Sequence, residues 1–223
     1  MKPTPAAALG GIAGARGLGF RLIGVVHESH GADAVSLAGA DTSCIAFRDV
    51  TAVGLFCSPR SEAVTSEALL SHHQLVANVA RTLTIIPAPA MTIFRSTASV
   101  RQWLELHAVT LADGLVYADG RCAARVTAKR DLAGATSDPS VLPPSAAAIE
   151  SFRALRRYAR ATVPVSSEMV GDGTTIATES FLVERTSWDR FADEVLAEDE
   201  RSPGLTLGLT GPWPVYDFVR LQF

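Results

Sequence analysis

Pro212-Trp213-Pro214 sets two prolines around a tryptophan, and that fixes what residues 211–223 can become. Each proline holds φ near about −65° and removes a backbone donor, so the segment cannot lie inside a helix or a central strand. It nevertheless carries Trp, Tyr and Phe side chains, which a merely disordered tail lacks. A rigid, extended arm is therefore expected, its aromatic groups docked on the chain's own surface or on a partner. Trp213, Pro214, Tyr216 and Phe218 are the candidate interaction residues. Docked in cis they cover an exposed edge or a seam between domains, which the physics favours; docked in trans they act as anchors, as rigid aromatic residues do at interfaces.

Upstream, the hydrophobic period changes repeatedly between two and 3.6 residues. Residues 20–27 read as a first strand, and 43–47 and 50–57 as two short strands around the polar break Arg48-Asp49. Over 66–81 a helix is expected, with Leu69, His73, Val76 and Ala80 on one face. Residues 82–86 read as a strand stopped by Pro87 and Pro89. A longer helix over 98–115 turns Val100, Trp103, Leu104, His107 and Leu111 inward, and Asp119-Gly120 closes it.

The second half begins with a clean alternation. Cys122, Ala124, Val126 and Ala128 face one way and Arg121, Arg125 and Lys129 the other, as in a half-buried strand. A Pro/Ser/Gly-rich linker over 131–144 precedes a helix over 145–161 that packs Ile149, Phe152 and Leu155. Strands over 162–170 and 174–184 are joined by the turn Gly171-Asp172-Gly173. A helix over 187–198, capped by Thr186 or Ser187, buries Trp188, Phe191 and Val195, and a strand over 205–210 ends the series. This β-α-β-β-α-β order is the ferredoxin-like arrangement. The fold class is α+β in two domains: a flexible Ala/Gly-rich leader at 1–19, an N-terminal α+β domain at 20–118, and a ferredoxin-like domain at 119–223 that includes the arm.

With 223 residues, 48% hydrophobic and 19% charged, the chain can hold one large or two small domains with a real core. Its net charge of −3 argues against a nucleic-acid-binding surface. No apolar run reaches the eighteen or so residues needed to cross a membrane, and the leader, broken by glycines, lacks a signal-peptide core. Cys44, Cys57 and Cys122 have no metal-type spacing, and each lies in an apolar strand, so buried free thiols of a cytoplasmic protein are expected.

Three stretches carry a family resemblance. Leu205-Thr206-Leu207-Gly208-Leu209-Thr210 followed by the Gly211-Pro212-Trp213-Pro214 arm resembles the carboxyl-terminal signature of the gas vesicle protein L/F family. Leu69-Leu70-Ser71-His72-His73-Gln74-Leu75-Val76, then Thr84-Ile85-Ile86-Pro87, is similar to its helix with a His pair and the strand that follows. Phe181-Leu182-Val183-Glu184-Arg185 is similar to its late strand. The resemblance runs from about residue 20 to the end. Two departures stand out: Ile86-Pro87-Ala88-Pro89-Ala90-Met91-Thr92 lacks the Arg, Phe and Gly of the family pattern, and Val215 replaces a proline.

The resemblance implies two α+β domains, the second ferredoxin-like, and a non-enzymatic accessory role in vesicle nucleation or assembly. It implies contacts with the small gas vesicle shell protein and with other accessory proteins. The rival expectation is a ferredoxin-like regulatory protein that binds a small ligand and has lost the vesicle role.

The residues offer little enzyme chemistry. His72 and His73 point about 100° apart on a helix and cannot share one ion, and His27, His30 and His107 are scattered. His73 falls on the apolar face, as an ordinary core histidine. A hydrolase built on either is the weakest of the readings. No nucleophile elbow and no phosphate-binding glycine turn follows a strand. No catalytic residue, metal site or cofactor is expected. Arg153, Arg156, Arg157 and Arg160 form a basic ridge at helical spacing, read either as a solvated face balanced by carboxylates or as a surface for an acidic partner. The acidic cluster Glu194, Glu198, Asp199 and Glu200 is the nearest source of such balance.

Overall fold

A computed structural model describes residues 18–58, 64–131, 143–166 and 173–223. Two compact units emerge: Met1–Leu115 together with Leu221–Phe223, and Val116–Arg220. The leader at 1–17, most of the linker at 132–142, and Gly171-Asp172 of the expected turn lie outside the described residues.

In the first unit, strand β1 (Gly19–His27) is the middle of an antiparallel sheet. Phe20, Leu22, Ile23, Val25 and Val26 are fully buried, the pattern of a strand covered on both faces. β1 pairs with β3 (Val50–Cys57), which pairs in turn with β2 (Thr42–Phe47). Two very short strands, β4 (Ile86–Pro87) and β5 (Ile93–Phe94), also pair with β1. Gly24 permits this close approach, because a Cβ there would sit 2.6 Å from the Ile86 carbonyl oxygen. Helices α1 (Gly31–Ala38), α2 (Ser66–Ala80) and α3 (Thr97–Ala118) complete the chain's first half. The Thr65 hydroxyl accepts from the Ala68 amide and caps α2.

Several expectations need correction here. α1 was not anticipated: its buried stripe is Gly31, Ala34 and Ala38, too small to register as an apolar helix face. The strand expected over 82–86 shrinks to Ile86–Pro87, since the amides of Thr82 and Leu83 still bond the Val79 carbonyl at the end of α2. Pro87 belongs to that strand, tolerated because β4 is at the sheet's edge. Cys57 and Cys122 are buried, but Cys44 points from the exposed face of β2.

The second unit runs β6 (Arg121–Arg130), α4 (Pro144–Leu155), β7 (Ala161–Val165), β8 (Thr175–Glu184), α5 (Trp188–Arg201) and β9 (Leu205–Trp213). Its four strands form one antiparallel sheet in the order β7-β8-β6-β9. Cys122, Ala124, Val126 and Ala128 of β6 lie with Phe181 and Val183 of β8 beneath Phe152 and Leu155 of α4 and Phe191 and Val195 of α5. The alternation along β6 therefore sorts core from surface as the sequence indicates.

The helices differ in detail. α4 turns Ala147, Ala148, Ser151, Phe152 and Leu155 inward, while Ile149, expected in the core, is 64% exposed. The alanines mark the face that lies closest to the sheet, and Ile149 sits one residue past that stripe. α4 ends at Leu155, and Arg156–Tyr158 tighten into a 3-10 turn before the Arg160 amide joins the Leu182 carbonyl at 2.7 Å. Neither Thr186 nor Ser187 caps α5 through its side chain; a 3-10 turn over Arg185–Ser187 leads into it instead.

Candidate functional site

The arm begins inside β9, which extends beyond the expected limit at 210 to Trp213. Ala123 pairs with Trp213 and Arg125 with Thr210, so Gly211-Pro212 bulges from the ladder on an edge strand. That edge position reconciles a proline with a strand. Gly211 has φ +130° and is joined to Pro212 by a cis peptide. A Cβ on it would stand 2.8 Å from the Trp188 ring and 2.9 Å from the Ala123 carbonyl oxygen.

Beyond the bulge, the four candidate residues separate. Trp213 is 38% exposed and donates through Nε1 to the Thr210 hydroxyl at 3.1 Å. Pro214 is buried, and Phe218 packs against a small cluster of Ala118, Leu182 and Val215. Val215, which stands where the family pattern has its second proline, is thus an apolar plug. Tyr216 is half-buried, and burial pushes its phenol up to about 12. Asp217 was not anticipated: it accepts from Arg125 at 2.9 Å and from the Ser180 hydroxyl. It is the lone acid among the arm's aromatic residues, a signal that could have singled it out.

Leu221–Phe223 belong with the first unit. There the Phe223 ring stacks on Trp103, with centroids 5.3 Å apart and planes 12° apart. Trp103 Nε1 donates to the Gln222 carbonyl at 2.7 Å. The inward face of α3 expected for Trp103 is observed, whereas the role of Phe223 had no sequence pattern to announce it.

The arginine row is not uniform. All four side chains are exposed, but their partners differ. Arg153 lies 3.7 Å from Glu150, a solvated pair one helical turn apart. Arg156 grips the buried carboxylate of Glu179 with two 2.8 Å bonds, the fork-on-fork geometry that arginine favours. Arg157 donates to the Ala154 carbonyl and, like Arg160, has no carboxylate partner among the described residues. The acidic cluster does not supply the balance either. Glu198 pairs with Arg201 at 3.0 Å, and Asp199 accepts from the Leu207 amide.

Of the adjacent histidines, it is His72, not His73, that is buried, at 2% exposure. Its Nε2–H donates to the Ala88 carbonyl at 3.0 Å, while its Nδ1 is buried without a hydrogen-bond partner. Burial lowers its pKa, with Arg21 and His73 adding to the effect and the Ala88 bond opposing it. Among the described residues, no three His, Cys, Asp or Glu side chains come together as metal ligands. None of the described helices is long and apolar enough to cross a membrane.

Comparison with known proteins adds the decisive observation. The family model of the gas vesicle synthesis protein GvpL/GvpF matches residues 21–138 and 145–220. The chain belongs to this family. The fold agrees: the crystal structure of the gas vesicle protein GvpF from Anabaena sp. PCC7120 superposes with a TM-score of 0.77 at 15% identity, over 92% of this chain and 98% of that one. GvpF from Microcystis aeruginosa gives 0.73 at 16% identity, over 91% of this chain and 99% of that one. No curated protein sequence matches. As a GvpL/GvpF family member, the chain combines an antiparallel two-sheet fold with an arm whose Trp213 alone among the four candidates keeps a large exposed surface, and with a row of arginines that is only half neutralised.

Proposed function

We propose that this protein is a non-enzymatic accessory factor of gas vesicle assembly that works in the cytoplasm on the nascent vesicle. The family match over most of the chain carries the reading. Its partners in this proposal are the small gas vesicle shell protein and other accessory proteins, with neither nucleic acid nor membrane involved. The reading treats the two compact units as domains and the second, by its β-α-β-β-α-β order, as ferredoxin-like.

Surface chemistry supports an apolar partner. On α3, Leu106 and Val109 are each more than 70% exposed and three residues apart, which puts them on one side of the helix. Contiguous exposed apolar side chains of this kind mark contact surfaces. Trp213 extends the inventory as an aromatic anchor on a backbone fixed by flanking prolines.

The test is a pull-down of the small shell protein with the full chain at physiological salt, run beside Trp213→Ala. Specific capture by the parent and its loss in Trp213→Ala at unchanged thermal stability establish assembly and make the arm an interaction element. Absence of capture by a folded sample, beside a competent positive control, defeats the assembly reading. The rival, a small-ligand-binding regulatory protein, gains its one supporting observation from a basic cavity in the second unit.

A further inference from the structure

That cavity has a volume of about 370 Å³ and lies between the end of α4 and the start of α5. Arg157, Arg160 and Arg190 line it together with Tyr158, Phe191 and Glu184. We propose that it is the docking site for an acidic segment of a protein partner, whose carboxylates are held by these three arginines. The proposal deepens the assembly reading and rests on it for the partner's being a protein.

Three observations converge. First, the cations are gathered without being neutralised. Arg157 and Arg190 both stand over the Tyr158 ring, with guanidinium carbons 5.9 and 5.3 Å from its centroid. The ring's face attracts each of them, yet the arrangement brings two like charges to one small area. The single carboxylate of the cavity, Glu184, is already bonded to Arg121 at 2.8 Å. Neither Arg157, Arg160 nor Arg190 has a carboxylate partner among the described residues. An incoming anion relieves the repulsion and gains charge-assisted bonds together.

Second, the site is held in place. The Arg160 main-chain amide is tied to the Leu182 carbonyl and the Arg157 Nε to the Ala154 carbonyl, so the backbone that presents the cations is fixed before binding. Ser187, at the start of α5, also lines the cavity.

Third, the lining mixes charge with apolar surface, since Ala159, Phe191 and the Tyr158 ring share it. Acidic side chains interleaved with apolar ones suit that surface. The whole chain carries −3, so attraction of an acidic segment is local to this cavity and not a general property of the surface.

The experiment titrates the full-length chain with a short synthetic peptide of alternating Glu and Leu, at about 50 mM and about 300 mM salt. It compares the parent, the variant R157Q/R160Q/R190Q, the single charge reversal Arg160→Glu, and Arg153→Gln as a control outside the cavity. Circular dichroism checks each fold, and Arg160→Glu serves where the triple variant does not fold. Saturable binding is expected, weakened at least about tenfold by the triple variant and by Arg160→Glu, hardly changed by Arg153→Gln, and lowered by salt. No binding to the parent, or equal losses in Arg153→Gln and Arg160→Glu, overturns the proposal. Displacement of the peptide by inorganic pyrophosphate at lower concentration than by free peptide also overturns it, in favour of a small-anion site. Shell-protein capture measured on the same samples separates the two readings. Capture without peptide binding removes only the cavity proposal, whereas peptide binding without capture leaves the site intact and removes the assembly role.

Discussion

At the scale of single residues, His72 has an uncommon position. Its Nε2–H satisfies the Ala88 carbonyl, and Nδ1 faces a buried space that offers no acceptor. Protonation there places a second N–H, and a charge, where neither is solvated, which is why burial depresses the pKa. In the unfolded chain the same imidazole titrates near about 6.5. As pH falls through that value the unfolded state takes up a proton before the folded state does, so stability is full above it and declines toward the lower, folded pKa. Thermal melts between pH 7.5 and pH 5 are expected to show a steeper loss of Tm in the parent than in His72→Gln, which keeps a donor for Ala88. Parallel pH profiles for the two proteins contradict this account of His72. The residue also shows where periodicity runs out. The spacing of Leu69, Val76 and Ala80 favoured His73 as the inward member, yet a rotation of the helix by less than one residue was enough to exchange the pair.

At the scale of elements, β9 shows how an arm and a strand become one object. Gly211 sits at φ +130° with the Trp188 ring and the Ala123 carbonyl within 3 Å of where a Cβ would stand. Conformation and space therefore both require glycine there. Gly211→Ala is expected to cost about 1–3 kcal/mol, read from urea unfolding monitored by far-UV circular dichroism. A midpoint equal to the parent's removes the bulge as a structural requirement. The strands β1 and β8 were legible because they carry runs of large apolar side chains, β6 because its residues alternate regularly, and the helices α2, α3 and α5 because apolar residues recur at helical spacing. α1 was not, since Gly31, Ala34 and Ala38 bury little area. Nor was the division of the arginine row, because Glu179 and Arg190 reach it from β8 and α5, and no spacing along α4 encodes a partner that arrives across the fold. Within the arm the aromatic composition pointed to docking, and the lone acid Asp217 was a signal left unread, but Val215, which ties the arm to Leu182, carries no pattern of its own.

At the scale of the whole molecule, both sheets are open and therefore have edges. Three of those edges carry a proline: Pro87 in β4, Pro164 in β7 and Pro212 in β9. An unprotected edge is a template on which another chain can add a strand, and proline removes a donor from that row. Pro164→Val is the direct check, because it restores a strand-forming residue with an N–H to the outermost strand of the second sheet. Light scattering across a concentration series is expected to show self-association of the variant where the parent stays monodisperse; equal behaviour of the two proteins rejects the idea. In the proposed setting the consequence is practical. A factor that attends a polymerising shell must touch the growing lattice and then let go, and a protein with three of its sheet edges blunted by proline offers that lattice fewer places at which to be built in.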